Sequence, residues 1–275
     1  MTSRFTRMFP HAVTAAAAAV VVLILLVPGA IADGTSVPAP PAQPTSADQI
    51  QNIDQVKTAI KAYYGDTVTQ TPDPVNGTAL LHTYSPSGAY ANEMAGIEAD
   101  AAKDLDKEAK HDQKFSGTPA VLFDIDDTTL NTYSYEIYSN FVFNPTTNAA
   151  FVNAAVFPPT PGMPGLVSHL RDDGYTVFFL TGRPEAQRAG TVTNLANAGY
   201  GTIDNSHLYL KDLTAPWLAS CAPACTTTQY KSLTRQHIES LGFDIAANFG
   251  DQFSDLNGGF ADQTFKIPNP MYFLP

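Results

Sequence analysis

The sequence predicts an α/β fold, a mainly parallel sheet covered by helices on both faces, and three observations carry that expectation. From residue 118 onward short apolar runs recur at 119–124 (PAVLFD), 176–181 (TVFFLT), 207–210 (HLYL), 245–249 (IAANF) and 264–267 (TFKI). Helical patterns at 162–173, 184–198 and 229–241 separate them. Gly174, Gly199 and Gly242 fall where left-handed helix caps are expected. Near-continuous apolar strands alternating with helices are the mark of a parallel sheet buried on both sides. At 275 residues the chain suits one such domain with an insertion and is short for two independent ones.

The elements ahead of the sheet follow from the N-terminus. Arg4 and Arg7 precede an almost unbroken apolar run from Ala12 to Val27, and Ala30-Ile31-Ala32 gives a small-x-small pattern. That order predicts a signal peptide over residues 1–32, cleaved after Ala32, hence a secreted or extracytoplasmic chain without a stable membrane anchor; the alternative is a retained anchor, since the apolar run approaches spanning length. Residues 33–45 (DGTSVPAPPAQPT) are Pro-rich and polar, as in a linker. Residues 46–117 read as a helical extension. Ser46 and Gln49 resemble a capping box ahead of Ile50, Ile53, Val56, Ile60 and Tyr64 at helical spacing. After a Pro/Gly-rich loop, a second helix at about 88–112 places Tyr90, Met94, Ile97, Ala101 and Leu105 on one face. The α/β domain that holds the sheet is expected over 118–275.

A net charge of −11 at pH 7 excludes nucleic-acid polymers as natural partners, since their binding draws on a basic surface. It also repels phosphate esters, so any phosphate chemistry must recruit local positive charge. The two cysteines, Cys221 and Cys225, flank Pro223 and suit a small loop-closing disulfide in an exported chain. A structural zinc site would need four ligands, and no histidine has companion spacing.

In parallel α/β folds the ligand site lies beyond the carboxyl ends of the strands. The first run ends in Asp124-Ile125-Asp126-Asp127-Thr128. Two carboxylates about 4 Å apart repel by roughly 4 kcal/mol at an effective dielectric of 20, a large share of a typical stability of about 5–15 kcal/mol. A dication, a lysine or a shared proton must offset that repulsion. An isolated D-x-D, by contrast, is more often a solvated turn. An EF-hand over 124–135 fails, because Thr129 replaces the required Gly and Tyr135 the required Glu. The second run ends in Leu180-Thr181-Gly182-Arg183-Pro184, a hydroxyl followed by a residue whose backbone N–H can approach an anion closely. Pro184 suits the first turn of the next helix. Lys231 stands near the start of a helix, against the macrodipole, which makes sense if its ammonium turns toward a phosphoryl group. Gly250-Asp251-Gln252-Phe253-Ser254-Asp255 places a second carboxylate pair after a buried run, and a Mg²⁺ site takes such carboxylates with carbonyls and waters.

The segments FDIDDTTL, FFLTGRPE, YKSLTRQHIE, FGDQFSDLNGG and FKIPNPMYFLP resemble the haloacid dehalogenase superfamily, and more narrowly its exported acid phosphatases with four signature aspartates, of class B and class C type. The resemblance covers about residues 118–275. It implies a Rossmann-like three-layer α/β/α core with a small helical cap at about 131–160. It implies that Asp124 is the nucleophile and Asp126 the general acid and base. Thr181 and Lys231, with Gly182, would hold phosphoryl oxygens, and Thr128 would orient the nucleophile. Mg²⁺ would be bound by Asp124, the Asp126 carbonyl and Asp251, with Asp255 supporting it through water or directly, and Asp127, at the variable position of the first motif, is given no catalytic role. The implied substrate is a small phosphomonoester, nucleotides included. A phosphotransferase or a 5′-nucleotidase shares these residues; a non-catalytic, phosphate-binding or storage-type relative with a degenerate site should have lost at least one of them, and the four aspartates, Thr181 and Lys231 are all present. The cap is rich in rings (Tyr133, Tyr135, Tyr138, Phe141, Phe143), which either pack it or stack on an aromatic leaving group.

Overall fold

The structure, a computed structural model, describes residues 45–46, 52–110 and 115–274. The expected signal peptide, and the linker up to residue 44, lie outside the described residues. Helix α1 (Ile53–Tyr64) is capped by Asn52, whose side chain accepts from Gln55 N at 3.0 Å. This replaces the cap expected at Ser46; residue 49 falls outside the described residues. Ile60 and Tyr64 are buried, whereas Ile53 and Val56 of the expected apolar face are exposed. The stretch read as a loop contains an antiparallel pair, β1 (Thr67–Pro72) with β2 (Leu80–Thr83). Its residues are mostly exposed, so backbone pairing rather than alternating burial defines it.

Helix α2 (Ala89–Ala109) buries Tyr90, Met94, Ala101 and Leu105 in the same core cluster as the sheet residues Val121 and Phe123. Burying such a side chain is worth about 1.5–3 kcal/mol, so three of them approach the net stability of a whole domain. Polar ties add to this packing. Tyr175 Oη donates to Leu105 O at 2.9 Å, and Asp106 accepts from His169 at 2.7 Å. Burial of both helices thus depends on the sheet domain.

The sheet runs β3 (Thr118–Phe123), β4 (Thr176–Pro184), β5 (Leu208–Lys211), β6 (Phe243–Gly250) and β7 (Gln263–Lys266), in spatial order β5-β4-β3-β6-β7 with every pair parallel. Alternation serves two faces. Val121 and Phe123 enter one core with α2, while Ala120 and Leu122 enter the other with Tyr230 and Ile238. This is the three-layer Rossmann-like arrangement expected. The chain order reverses between β3 and β6, and a cleft at such a switch point is the usual ligand site.

Between β3 and β4 lie α3 (Tyr133–Tyr138), α4 (Pro145–Asn153) and α5 (Met163–Asp172). Asn144 caps α4 by accepting from Thr146 N and Thr147 N, and Pro145 takes its first position. The helix expected from 184 starts later, as α6 (Arg188–Leu195). Pro184 stays extended at ψ 155° and a 3-10 turn (Glu185–Gln187) intervenes. Helix α7 (Thr227–Ser240) opens with a capping box between Thr226 and Gln229, and α8 (Phe253–Leu256) follows β6. Cys221 and Cys225 are disulfide-bonded. Among the described residues no helix is long and apolar enough to cross a membrane.

Candidate active site

Asp124 follows the last residue of β3, and its N–H donates to Phe249 O of β6 at 2.9 Å. The neighbouring strand therefore fixes the base of this carboxylate. Thr129 Oγ1 donates to Asp124 O at 3.2 Å, closing the turn behind it. From the tip of β6, Asp251 and Asp255 converge on the same point: one carboxylate oxygen from each of the three aspartates lies within 4.8 Å of the others. Gly250 permits the approach, because a Cβ there would meet Asp255 Cβ at 2.5 Å.

Lys231, on α7, is 2% exposed. Its ammonium donates to Asp124 Oδ1, lies 2.7 Å from Asp255 Oδ1 and donates to Leu180 O at 3.1 Å. Burial disfavours its charge, but Asp124 and Asp255 outweigh that and hold its proton well above the ordinary lysine range. Lys231 thus pairs with two of the three buried carboxylates, and Asp251 and Asp255 also attract the charge of Lys266. Burial pushes the Asp124 carboxyl far above its ordinary range, Lys231 opposes this, and Asp255 and Asp251 add to it. Asp251 is raised in the same sense by burial and then by Asp255, against donors from Asn269 and Gln252. Three clustered carboxylates, of which Asp124 and Asp251 are raised despite the neighbouring lysines, are a donor set left short of positive charge, and a hard dication fits it.

Asp126 is held differently. Arg183 clamps it through Nε to Oδ2 at 2.9 Å and Nη2 to Oδ1 at 2.6 Å, and Arg183 Nη1 donates to Thr191 at 3.0 Å. Its side chain keeps 29% of its surface while that of Asp124 keeps 8%, so Asp126 faces the open side. Thr181 is fully buried, and its Oγ1 accepts from Arg183 N at 3.1 Å. Gly182 is exposed, and open space surrounds the position of a Cβ there. The helix expected to begin beside it starts at Arg188 instead. Thr128, expected near the nucleophile, donates to Asp251 Oδ1 at 3.5 Å.

Asp127, at the variable position of the first motif, is fully buried with φ at 58°. Thr132 N donates to it at 2.9 Å, the Thr132 hydroxyl donates as well, and Tyr272 Oη donates at 2.8 Å. Burial moves its carboxyl up to about 7 against these donors. Arg183, Asn269 and Tyr272 stand inside the quoted motifs, but the motif reading singled out none of them. Glu136 of α3 is buried as well. Burial and then Asp126 raise its carboxyl to about 7. A buried ionisable residue was the available signal for Arg183 and Glu136, and it exists only once the fold is known.

The rings of the segment expected as a cap pack against their neighbours. Tyr133 stacks on Tyr64 at 4.5 Å between ring centroids, and Tyr135 and Tyr138 meet Phe151 at 5.4 and 5.2 Å. Of the five rings only Phe143 is largely exposed.

The profile of the HAD superfamily, subfamily IIIB (acid phosphatase), matches residues 47–275. The chain belongs to this family. The match extends through α1 and α2, well beyond the motif-bearing part of the chain. Acid phosphatase 1 of Solanum lycopersicum is 36% identical over 162 residues, 58% of this chain and 60% of that protein. The match thus spans about three fifths of the tomato protein's length. A stem 31 kDa glycoprotein of Glycine max is 30% identical over 221 residues, 78% of each chain. The class C acid phosphatase of Bacillus anthracis superposes with a TM-score of 0.53 at 21% identity, over 66% of this chain and 80% of that one. That superposition shows that the subfamily IIIB chain shares the class C fold.

Proposed function

We propose that this subfamily IIIB chain is a Mg²⁺-dependent acid phosphatase that hydrolyses small phosphomonoesters through a phosphoaspartate on Asp124. The observation that carries the reading is the meeting of Asp124, Asp251 and Asp255 around one buried lysine. Mg²⁺ held by Asp124, Asp251, Asp255 and the Asp126 carbonyl would neutralise the carboxylates and the phosphoryl oxygens. The remaining steps belong to side chains. An Asp124 oxygen attacks phosphorus as the ester P–O bond breaks, and Asp126 gives its proton to the leaving alcohol. Asp126 then takes a proton from a water that attacks the phosphoaspartate, which releases phosphate and restores the Asp124 carboxylate. Lys231, Thr181 and the Gly182 N–H supply donors for the phosphoryl oxygens. Arg183 keeps the Asp126 carboxylate aimed at the open side.

The purified full chain should hydrolyse p-nitrophenyl phosphate, lose that activity in chelator and regain it with added Mg²⁺. Absence of hydrolysis with Mg²⁺ bound would favour a storage-type protein with an intact but silent site. A second expectation concerns range. Because the cap rings are engaged with one another, nucleoside and sugar phosphates should show kcat/KM values within about tenfold, the ~1.4 kcal/mol within which one lost stacking contact falls. A preference for nucleotides beyond about a hundredfold would restore the stacking idea, with Phe143 as the ring to test.

A further inference from the structure

The chain end after β7 returns to the acidic loops. Asn269 Nδ2 donates to Asp251 Oδ2 at 2.7 Å, and Gln252 Nε2 donates to the same oxygen at 2.7 Å. Two N–H donors on one oxygen fix the rotation of this carboxylate and leave Oδ1, whose contact is the long 3.5 Å one from the Thr128 hydroxyl, as its less committed oxygen. Gln252 is itself held by the tail: Leu274 N donates to its Oε1 at 3.0 Å, and its Nε2 lies 3.5 Å from Tyr272 O. The same tail reaches the first acidic loop, where Tyr272 Oη donates to Asp127 at 2.8 Å. Asp127 sits at φ 58°, a backbone region that side-chain-bearing residues adopt only when their surroundings impose it. Its donors are all neutral and come from Thr132 and Tyr272. The residue before it is Asp126.

We propose that Asn269 and Tyr272 are positioning residues of the reaction. Asn269 determines which Asp251 oxygen is presented to a divalent cation, and Tyr272 holds the Asp127 turn that aims Asp126. The tail thus ties the metal-binding tip of β6 to the acid–base loop after β3. This rests on the phosphatase reading above. It extends that reading to residues that touch neither substrate nor metal. Donors behind metal ligands typically change metal affinity by about 10–100-fold when removed.

Calorimetric titration of Mg²⁺ into the full-length chain separates the possibilities. Asn269→Ala should bind Mg²⁺ about 10–100-fold more weakly, with most of kcat recovered at saturating Mg²⁺. Asn269 Oδ1 also accepts from Met271 N at 2.9 Å, so a purely structural role in that turn is conceivable. Asn269→Ser distinguishes the two. Its hydroxyl can still accept from Met271 N but is too short to reach Asp251, so it should bind Mg²⁺ as weakly as Asn269→Ala. Recovery of parental affinity in Asn269→Ser, or parental affinity in Asn269→Ala, overturns the role of Asn269. Tyr272→Phe should lower kcat about tenfold at unchanged KM and with Mg²⁺ affinity within threefold of the parent, as expected for a donor acting on orientation alone. An unchanged kcat overturns the role of Tyr272. If the parent chain takes up no Mg²⁺ at all, it is the phosphatase reading that fails; if the parent binds and both Asn269 variants match it, the inference about Asn269 alone fails.

Discussion

Asp124→Asn should lose phosphomonoester turnover by about 10⁴-fold or more, as removal of a covalent nucleophile does in other enzymes, and should melt no lower than the parent in chelator. The second half of this expectation comes from the electrostatics. The Asp124 proton is held well above its ordinary range by burial and then by Asp255 and Asp251, with Lys231 in opposition. A carboxyl whose affinity for its proton is raised by folding binds more protons in the folded state. Stability from it is therefore greatest at low pH and declines as pH rises above the ordinary carboxylate range. An amide keeps an acceptor for Lys231 and removes the charge. In chelator the variant should then match the parent at pH 5 and exceed it at pH 8, while Mg²⁺ stabilises the parent more than the variant. Thermal melts at the two pH values, with and without Mg²⁺, test this. Substantial residual turnover in a folded Asp124→Asn chain would rule out the covalent route.

What was readable in advance follows the range of the forces involved. The inner strands β3, β4 and β6 are legible because both their faces are buried, which leaves unbroken apolar runs such as Val121-Leu122-Phe123, whereas the edge strands β5 and β7 are less buried and are legible from their position between helical patterns. The β1–β2 pair lacks that signal, since five of the six residues of β1 are exposed. Asp124, Asp251, Asp255 and Lys231 are legible as charges placed at the ends of buried runs or against a helix dipole, where an unpartnered charge would be costly. Asn269 and Tyr272 act on residues 18 and 145 positions away, and Arg183 on one 57 positions away. Nothing local marks such pairs, because each is a polar residue whose partner is set by how the strands are ordered. Helix starts fail for a related reason. Pro184 fits a first helical turn equally well as an extended strand end, and the pairing of Pro184 with Lys211 of β5 selects the latter.

Lys231→Met should have the largest effect on stability of any single change at the site. Methionine fills the volume of the lysine stem, so the loss is of charge and hydrogen bonds rather than of packing. Without the ammonium, Asp124 and Asp255 remain buried beside Asp251 with no lysine between them. Removing one member of a buried ion pair costs about 3–5 kcal/mol. At about 2–4 °C per kcal/mol for a chain of this size, the melting temperature should fall by about 6–20 °C. Activity should fall about 10²–10³-fold, the usual consequence of removing one donor to developing charge. The deficit also has a direction in pH. With Lys231 gone, the carboxyls that burial already raises hold their protons still more tightly, so the folded variant is relieved as they protonate. The gap to the parent should be widest at pH 8 in chelator, narrower at pH 5, and narrower again with Mg²⁺ at pH 8, where a dication replaces the missing cation. Calorimetric melts across those conditions read all three. Equal melting of variant and parent at pH 8 in chelator would mean that Lys231 does not neutralise the cluster.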